Sequence, residues 1–260
     1  MINVFINDET SPLRAVILGT AKGVGDVPDL DDAYDPKSKE HIVAGTYPKE
    51  EDMVKEIEAF ANVLEKHDVK VYRPEIIEDY NQIFSRDIGF VIEDKFIKPR
   101  ILKNRKEEIK GIQYILEQIN LEQIISVPED VRVEGGDVMP WKDHIFVGYS
   151  EKEDFDNYTV SRTNRAGLEF LASEFPNKKV KGFQLNKSDE EAKANALHLD
   201  CCFQPIGVNQ AIIYKEGFKL EEDYQYLVDY FGEENLIHIT RDEMYEMNSN
   251  VFSISPKVVV

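Results

Sequence analysis

Short β-branched runs occur in close pairs along this chain, each pair split by turn-forming residues, and helical patterns lie between the pairs; this alternation restricts the fold more than any other feature. Gly89–Ile92 (GFVI) and Lys95–Ile97 (KFI) flank Glu93-Asp94, and DVMPWKDHIFV breaks at Lys142-Asp143-His144. Arg14–Leu18, Val69–Tyr72, Ile145–Gly148, Gln210–Tyr214 and Val258–Val260 are strand-like by length and composition. Apolar residues spaced about 3.6 apart predict helices over Glu50–His67, Arg105–Gln118, Asn164–Phe175 and Glu221–Phe231. Paired strands followed by one helix, repeating at roughly 50 to 70 residues, point to a modular α/β architecture, not to one doubly wound sheet. No linker divides the chain, so residues 1–260 read as one domain. Gly23–Tyr47, rich in Asp, Gly and Pro, reads as a long loop, either a lid or binding loop or a plain surface excursion. The closing SPKVVV stops within a strand-like run, so the last module is expected to be cut short or completed from elsewhere.

The charge limits the partners. Fifty acidic residues against 31 basic ones give a net charge of -19, which repels phosphate backbones and anionic lipid, so neither nucleic acid nor membrane is expected as a partner. At 42% apolar residues the chain has ample material for a core. The two cysteines are neighbours, Cys201 and Cys202, and cannot close the long loops that disulfides staple in secreted domains; a reducing, cytoplasmic setting is expected. The opening MINVFINDETSPLRAVILG has no basic stretch followed by an apolar one, and no segment reaches the ~18 apolar residues of a membrane span.

Three polar clusters interrupt apolar contexts: Ser85-Arg86-Asp87, Glu134-Gly135-Gly136-Asp137 and His198-Leu199-Asp200. A carboxylate at the edge of a buried strand needs a partner, because an unpaired charge in low dielectric is costly. If Leu197–Phe203 is a strand, alternation puts His198, Asp200 and Cys202 on one face, an imidazole beside a carboxylate being suited to acid–base work. A hydrogen-bonded structural histidine accounts for the same pattern. In EGGD the glycines allow a sharp turn or close approach of a ligand between two carboxylates, and a plain acidic turn also fits. Asp87 next to Arg86 reads equally as a surface ion pair. No HExxH, CxxC, EF-hand, GxGxxG or GxxxxGK spacing is present, so no metal and no nucleotide cofactor is expected. Several acids, one histidine and one thiol remain, a set suited to a planar cation.

Taken together, the ordered motifs FSRD, VEGGD, SRTN and HLD, with SPLRAVILG as a first strand, resemble the guanidino-group-modifying superfamily of amidinotransferases, arginine deiminases and dimethylarginine hydrolases over about Ser11 to Pro256. The resemblance implies a pentein-type five-bladed α/β propeller of repeated ββαβ modules, incomplete at the C-terminus. It implies that Asp87 and Glu134 hold the substrate guanidinium, that His198 is the general acid–base and that Asp200 meets the reacting group. Arg162, Asp137 and Arg86 become candidate substrate-binding residues, Arg162 toward a substrate carboxylate. The implied partner is a small guanidino or ureido molecule: arginine, a methylated arginine, agmatine or citrulline. A homo-oligomer fits as well. In the superfamily a cysteine thiolate attacks the guanidinium carbon, and water or an amine completes the reaction. That cysteine lies in a C-terminal glycine-rich segment absent from these 260 residues; Cys202 is the substitute on the presumed His198 face. Hydrolysis is preferred over amidino transfer, and a non-catalytic binding protein of the same fold is the alternative.

Overall fold

Five small sheets follow one another along the chain in the computed structural model, which describes residues 1–260. The first pairs β1 (Ala15–Ile17) in parallel with β2 (Lys70–Tyr72). The next three share one wiring. In each, an antiparallel hairpin is joined by a third strand that runs parallel to the second: β3 (Phe90–Ile92), β4 (Lys95–Lys98) and β5 (Ile124–Ser126); β6 (Val138–Trp141), β7 (His144–Tyr149) and β8 (Lys179–Gln184); β9 (Phe203–Ile206), β10 (Gln210–Ile213) and β11 (Leu236–His238). A last antiparallel pair, β12 (Ser253–Ser255) with β13 (Val258–Val259), lies against the first sheet, where Leu13 N donates to Ile254 O at 2.9 Å. Leu64, Val69 and Ile254 are buried together there, with Val16, Phe60 and Phe252 packed around them. The tight hairpins place Glu93 and Lys142 at φ +50° and +54°, the left-handed region that short reversals require.

The predicted strand pairs are present, and the helices over Glu50–Lys66, Arg165–Glu174 and Glu221–Phe231 fall where the apolar spacing put them. Asn164 caps the second, its side chain accepting from Gly167 N at 2.9 Å. Three expectations are corrected. The 105–118 helix is broken into a turn at Lys103–Arg105 and two short helices, Glu108–Gly111 and Gln113–Leu116. The break falls at Ile112, just after Gly111, whose backbone is pressed so close to Gln82 and Glu75 that a Cβ would lie 2.4 Å from Gln82 Nε2. The 23–47 segment is not all loop: Pro36–Ala44 is helical, with Asp35 accepting from Ser38 N, Pro36 in the first turn and Gly45 ending it at φ +67°. Nor is Leu197–Phe203 a strand. Leu199–Cys201 forms one tight turn, closed by Cys201 N to His198 O and Cys202 N to Leu199 O, and β9 starts only at Phe203.

The largest apolar cluster gathers Trp141, Phe146, Phe183, Phe203 and Phe231 between the third and fourth sheets. Each such side chain contributes about 1.5–3 kcal/mol on full burial, which fixes the two sheets against each other behind the polar clusters. A second cluster of Ile92, Ile97, Val133, Val138, Ile145 and Leu171 joins the second sheet to the third. No helix is long and apolar enough to cross a membrane.

Candidate functional site

Each polar cluster leads into the first strand of a sheet. Asp87 stands three residues before β3, Glu134 four before β6 and His198 five before β9. The three sheets have the same wiring, and the residues that lead into their first strands come together. One oxygen or nitrogen from each of Asp87, Glu134 and His198 falls within 4.8 Å of the others, and all three residues are buried. They line or back a cleft of about 1120 Å³ also lined by Arg162, Asp200, Arg105, Glu108 and Tyr34; that is ample for an amino-acid-sized ligand.

The local geometry explains the turns. Gly136 carries no Cβ because one would lie 2.8 Å from His198 Cγ and Nδ1 and 3.1 Å from Asp200 Oδ2; the imidazole and the carboxylate both pack on the bare backbone. Gly135 is pressed against Arg86 O, where a Cβ would come within 2.1 Å. Arg86, expected to bind substrate, lines the cleft with most of its guanidinium donors already engaged by the protein. Its Nε donates to Gly135 O at 2.8 Å, its Nη2 to Val138 O at 2.9 Å, and Glu9 pairs with it at 3.1 Å, so it pins the EGGD turn beside Asp87.

Asp137 is likewise turned inward. Its Oδ2 accepts from Thr163 Oγ1 at 2.6 Å and its Oδ1 from Leu199 N at 2.9 Å, which places it behind the cleft and not in it. Cys202 is fully buried in the aromatic core, its thiol toward Leu199 O, so it does not share a face with His198. Burial pushes its thiol pKa well up, and burial followed by the nearby Asp200 charge does the same for Cys201. Neither cysteine is held as a thiolate.

Electrostatically the centre is a network of alternating charges. His198 Nε2 bonds Glu134 Oε2 at 2.9 Å, and Arg162 Nη1 stands 3.6 Å from the same oxygen. Burial works against an imidazolium here, yet the Asp87 charge, the Glu134 hydrogen bond and Asp137 outweigh it and raise the His198 pKa to about 9. Asp87 moves the other way. Burial again opposes, but the His198 and Arg105 charges hold it below the usual range. Asp200 is raised to about 6, by burial first, with Asp87 and Asp137 adding to it against His198 and Arg86. The cleft thus holds a protonated imidazole and a carboxyl group that titrates near neutrality, the pair a proton-transfer reaction needs.

Sequence reasoning missed Arg105, Glu108, Tyr34 and Thr163. Arg105 bonds Asp87 Oδ2 at 2.8 Å and grips Glu108 with Nε and Nη2 at 2.8 and 3.0 Å. Its spacing of three from Glu108 was a visible signal, hidden inside the supposed long helix. Tyr34 stacks on the Arg162 guanidinium at 5.2 Å, bringing the 23–47 segment over the site. Arg162 is almost wholly buried, and its Nε and Nη2 have no acceptor. Asp87, Glu134 and His198 are close enough to ligate a cation, but the hydrogen bonds from Arg105 and His198 already occupy Asp87 Oδ2 and Glu134 Oε2, leaving one oxygen of each for a further N–H donor.

A family model described as N,N dimethylarginine dimethylhydrolase, eukaryotic, matches residues 37–259. YkgA, an uncharacterized protein of Bacillus subtilis (strain 168), is 29% identical over 182 residues, which is 69% of this chain and 55% of that protein; the chain spans little more than half the length of this curated relative. Among solved structures, the N-terminal domain of ArgZ, a cyanobacterial arginine dihydrolase captured with substrate as a cysteine-to-serine mutant, superposes with a TM-score of 0.73 at 15% identity, covering 92% of this chain and 80% of that one. SxtG, an amidinotransferase from Microseira wollei, gives 0.73 at 17% identity over 99% and 84% of the two chains. A dimethylarginine hydrolase (DDAH) from Pseudomonas aeruginosa, again a cysteine-to-serine mutant and complexed with citrulline, gives 0.69 at 17% identity over 95% and 83%. At these identities the likeness concerns the fold, a mixed α/β fold of the pentein kind.

Proposed function

The chain belongs to the N,N dimethylarginine dimethylhydrolase family, and from that premise we propose that its cleft binds the guanidinium of an arginine-like amino acid between Asp87 and Glu134, with His198 as the proton carrier. The observation that carries this is the convergence of two carboxylates and an imidazole, from three distant segments, within 4.8 Å. A guanidinium offers a planar fork of N–H donors, and the second oxygens of Asp87 and Glu134 are suited to receive them. The buried, unpaired Nε and Nη2 of Arg162 favour a substrate that also carries a carboxylate, hence arginine, methylarginine or citrulline over agmatine. The regular wiring of the sheets supports reading them as blades of a five-bladed propeller within one domain, with the cleft at its centre.

Hydrolysis is the reading the family description supports over amidino transfer. In it, the cysteine thiolate that the superfamily resemblance implies, and that neither Cys201 nor Cys202 supplies, adds to the guanidinium carbon; imidazolium His198 gives its proton to the departing amine, and the neutral imidazole then takes a proton from water as hydroxide displaces sulfur. Asp87 and Glu134 hold the carbon in line throughout. One observation favours a second reading, of guanidino binding without turnover: neither thiol of these residues is ionised, and Cys202 faces the core. Both readings share the binding step. Calorimetry of the 260-residue chain with Nω,Nω-dimethylarginine, arginine, citrulline and agmatine is expected to give binding that Asp87→Asn abolishes, while dimethylamine or ammonia release separates the two. Absence of binding by all four ligands overturns the proposal.

A further inference from the structure

The stretch Asn195–His198 approaches the site without a sheet partner, apart from one bond of Ala196 N to Asn186 O at 2.9 Å. Its carbonyls turn instead to a single ammonium. Lys187 Nζ donates to Ala196 O and to Leu197 O, both at 2.8 Å. Lys187 is itself well anchored, since the preceding Asn186 side chain donates to Glu216 O and Phe218 O at 2.8 and 3.1 Å. On the other side of His198, Leu199 N is held by Asp137 Oδ1, and the same carboxylate reaches Thr163, whose hydroxyl accepts Glu134 N at 3.2 Å. The imidazole's backbone is gripped immediately before and immediately after, and the downstream grip is continuous with the backbone of its hydrogen-bond partner.

We propose that Lys187 is a positioning residue for His198: by bending two consecutive carbonyls onto one half-buried ammonium it sets the angle at which the chain enters the site, and so keeps Nε2 on Glu134. This rests on the reading of His198 as the proton carrier, but it concerns the free protein and can be tested without a substrate. The position of a lysine here is a physical choice. Burial lowers the Lys187 pKa, with Asp137, Cys201 and Cys202 opposing and Arg162 adding to the effect, and the three donors of a lysine nitrogen are enough to serve both carbonyls from one atom.

The ionisation of His198 discriminates positioning from mere charge, because the two act with opposite sign. Asp87, Glu134 and Asp137 face the ring and raise its pKa. If Lys187 were only a nearby positive charge, Lys187→Met would raise that pKa further by removing a like charge. If it positions the ring, Lys187→Met loosens the Glu134 bond and the pKa falls, by roughly one pH unit or more. The experiment is an NMR titration of the His198 ring in the 260-residue chain, wild type against Lys187→Met, Lys187→Gln and Lys187→Arg. The expected result is a fall in Met, a smaller fall in Gln, which keeps a donor without the charge, and retention in Arg. A rise or no change in either neutral variant overturns the proposal; should Met fail to fold, Gln decides. Calorimetry with citrulline on the same wild-type sample shows separately whether the guanidino-binding reading stands.

Discussion

Replacing Arg162 by lysine keeps a cation beside Glu134 but removes the planar fork, and the structure sets the size of the consequence. Two of the guanidinium's donors, Nε and Nη2, are buried without acceptors. A ligand carboxylate that fills this gap gains charge-assisted hydrogen bonds worth about 1.5–3 kcal/mol each. Lysine can offer one such bond as a point charge but not a second in the same plane, so the loss is about 1.5–3 kcal/mol, or roughly 10- to 150-fold in Kd. Agmatine has the guanidinium but no carboxylate and should lose less than about threefold. Calorimetry with arginine and agmatine on wild type and Arg162→Lys measures both changes, and their ratio cancels any general loosening of the fold. Equal losses for the two ligands, or a larger loss for agmatine, refute the assignment of Arg162 to the carboxylate.

Two further outcomes follow from the same geometry. The folded-state pKa of His198, about 9, lies above its ordinary 6.5, so its contribution is complete below pH 6.5 and disappears as pH rises toward 9; the gap corresponds to at most about 3.5 kcal/mol. The melting temperature should therefore fall between pH 6.5 and 9 and fall less in His198→Asn, and a flat or rising profile in the wild type would contradict the network. Gly136→Ala puts a methyl 2.8 Å from the imidazole and should cost about 1–3 kcal/mol of stability while displacing the ring from Glu134, seen as a lowered His198 pKa; unchanged titration counts against the packing described.

The sequence made much of this readable because β-branched pairs and helical spacing are local signals. GFVI with KFI gave a hairpin directly, and Glu221–Phe231 was delimited to the residue. What it hid were elements made by packing. β8 (KVKGFQ) and β9 (FQPI) carry lysines, a glycine and a proline, and hold their places through register, β8 against the distant β7 and β9 against its hairpin partner β10. The helix Pro36–Ala44 had its cap, its proline and its terminal glycine on view, but its weak apolar periodicity masked them. At the site, Asp87, Glu134 and His198 were identifiable because acids and a histidine next to apolar runs demand partners. Their partners were not: Arg105 and Lys187 look like ordinary surface cations until the fold buries the first and turns the second onto backbone carbonyls. The HLD turn misled for a related reason, since a tertiary hydrogen bond from Leu199 N to the Asp137 carboxylate overrides the strand propensity of ALHLDCCF, and with it went the inference that Cys202 faces His198.

The most direct measurement is a crystal structure of the chain with citrulline or arginine. The account predicts the guanidino or ureido head within hydrogen-bonding distance of Asp87, Glu134 and His198, and the ligand carboxylate on Nε and Nη2 of Arg162. A ligand bound elsewhere, or one whose carboxylate points away from Arg162 while its head avoids both acids, would contradict it.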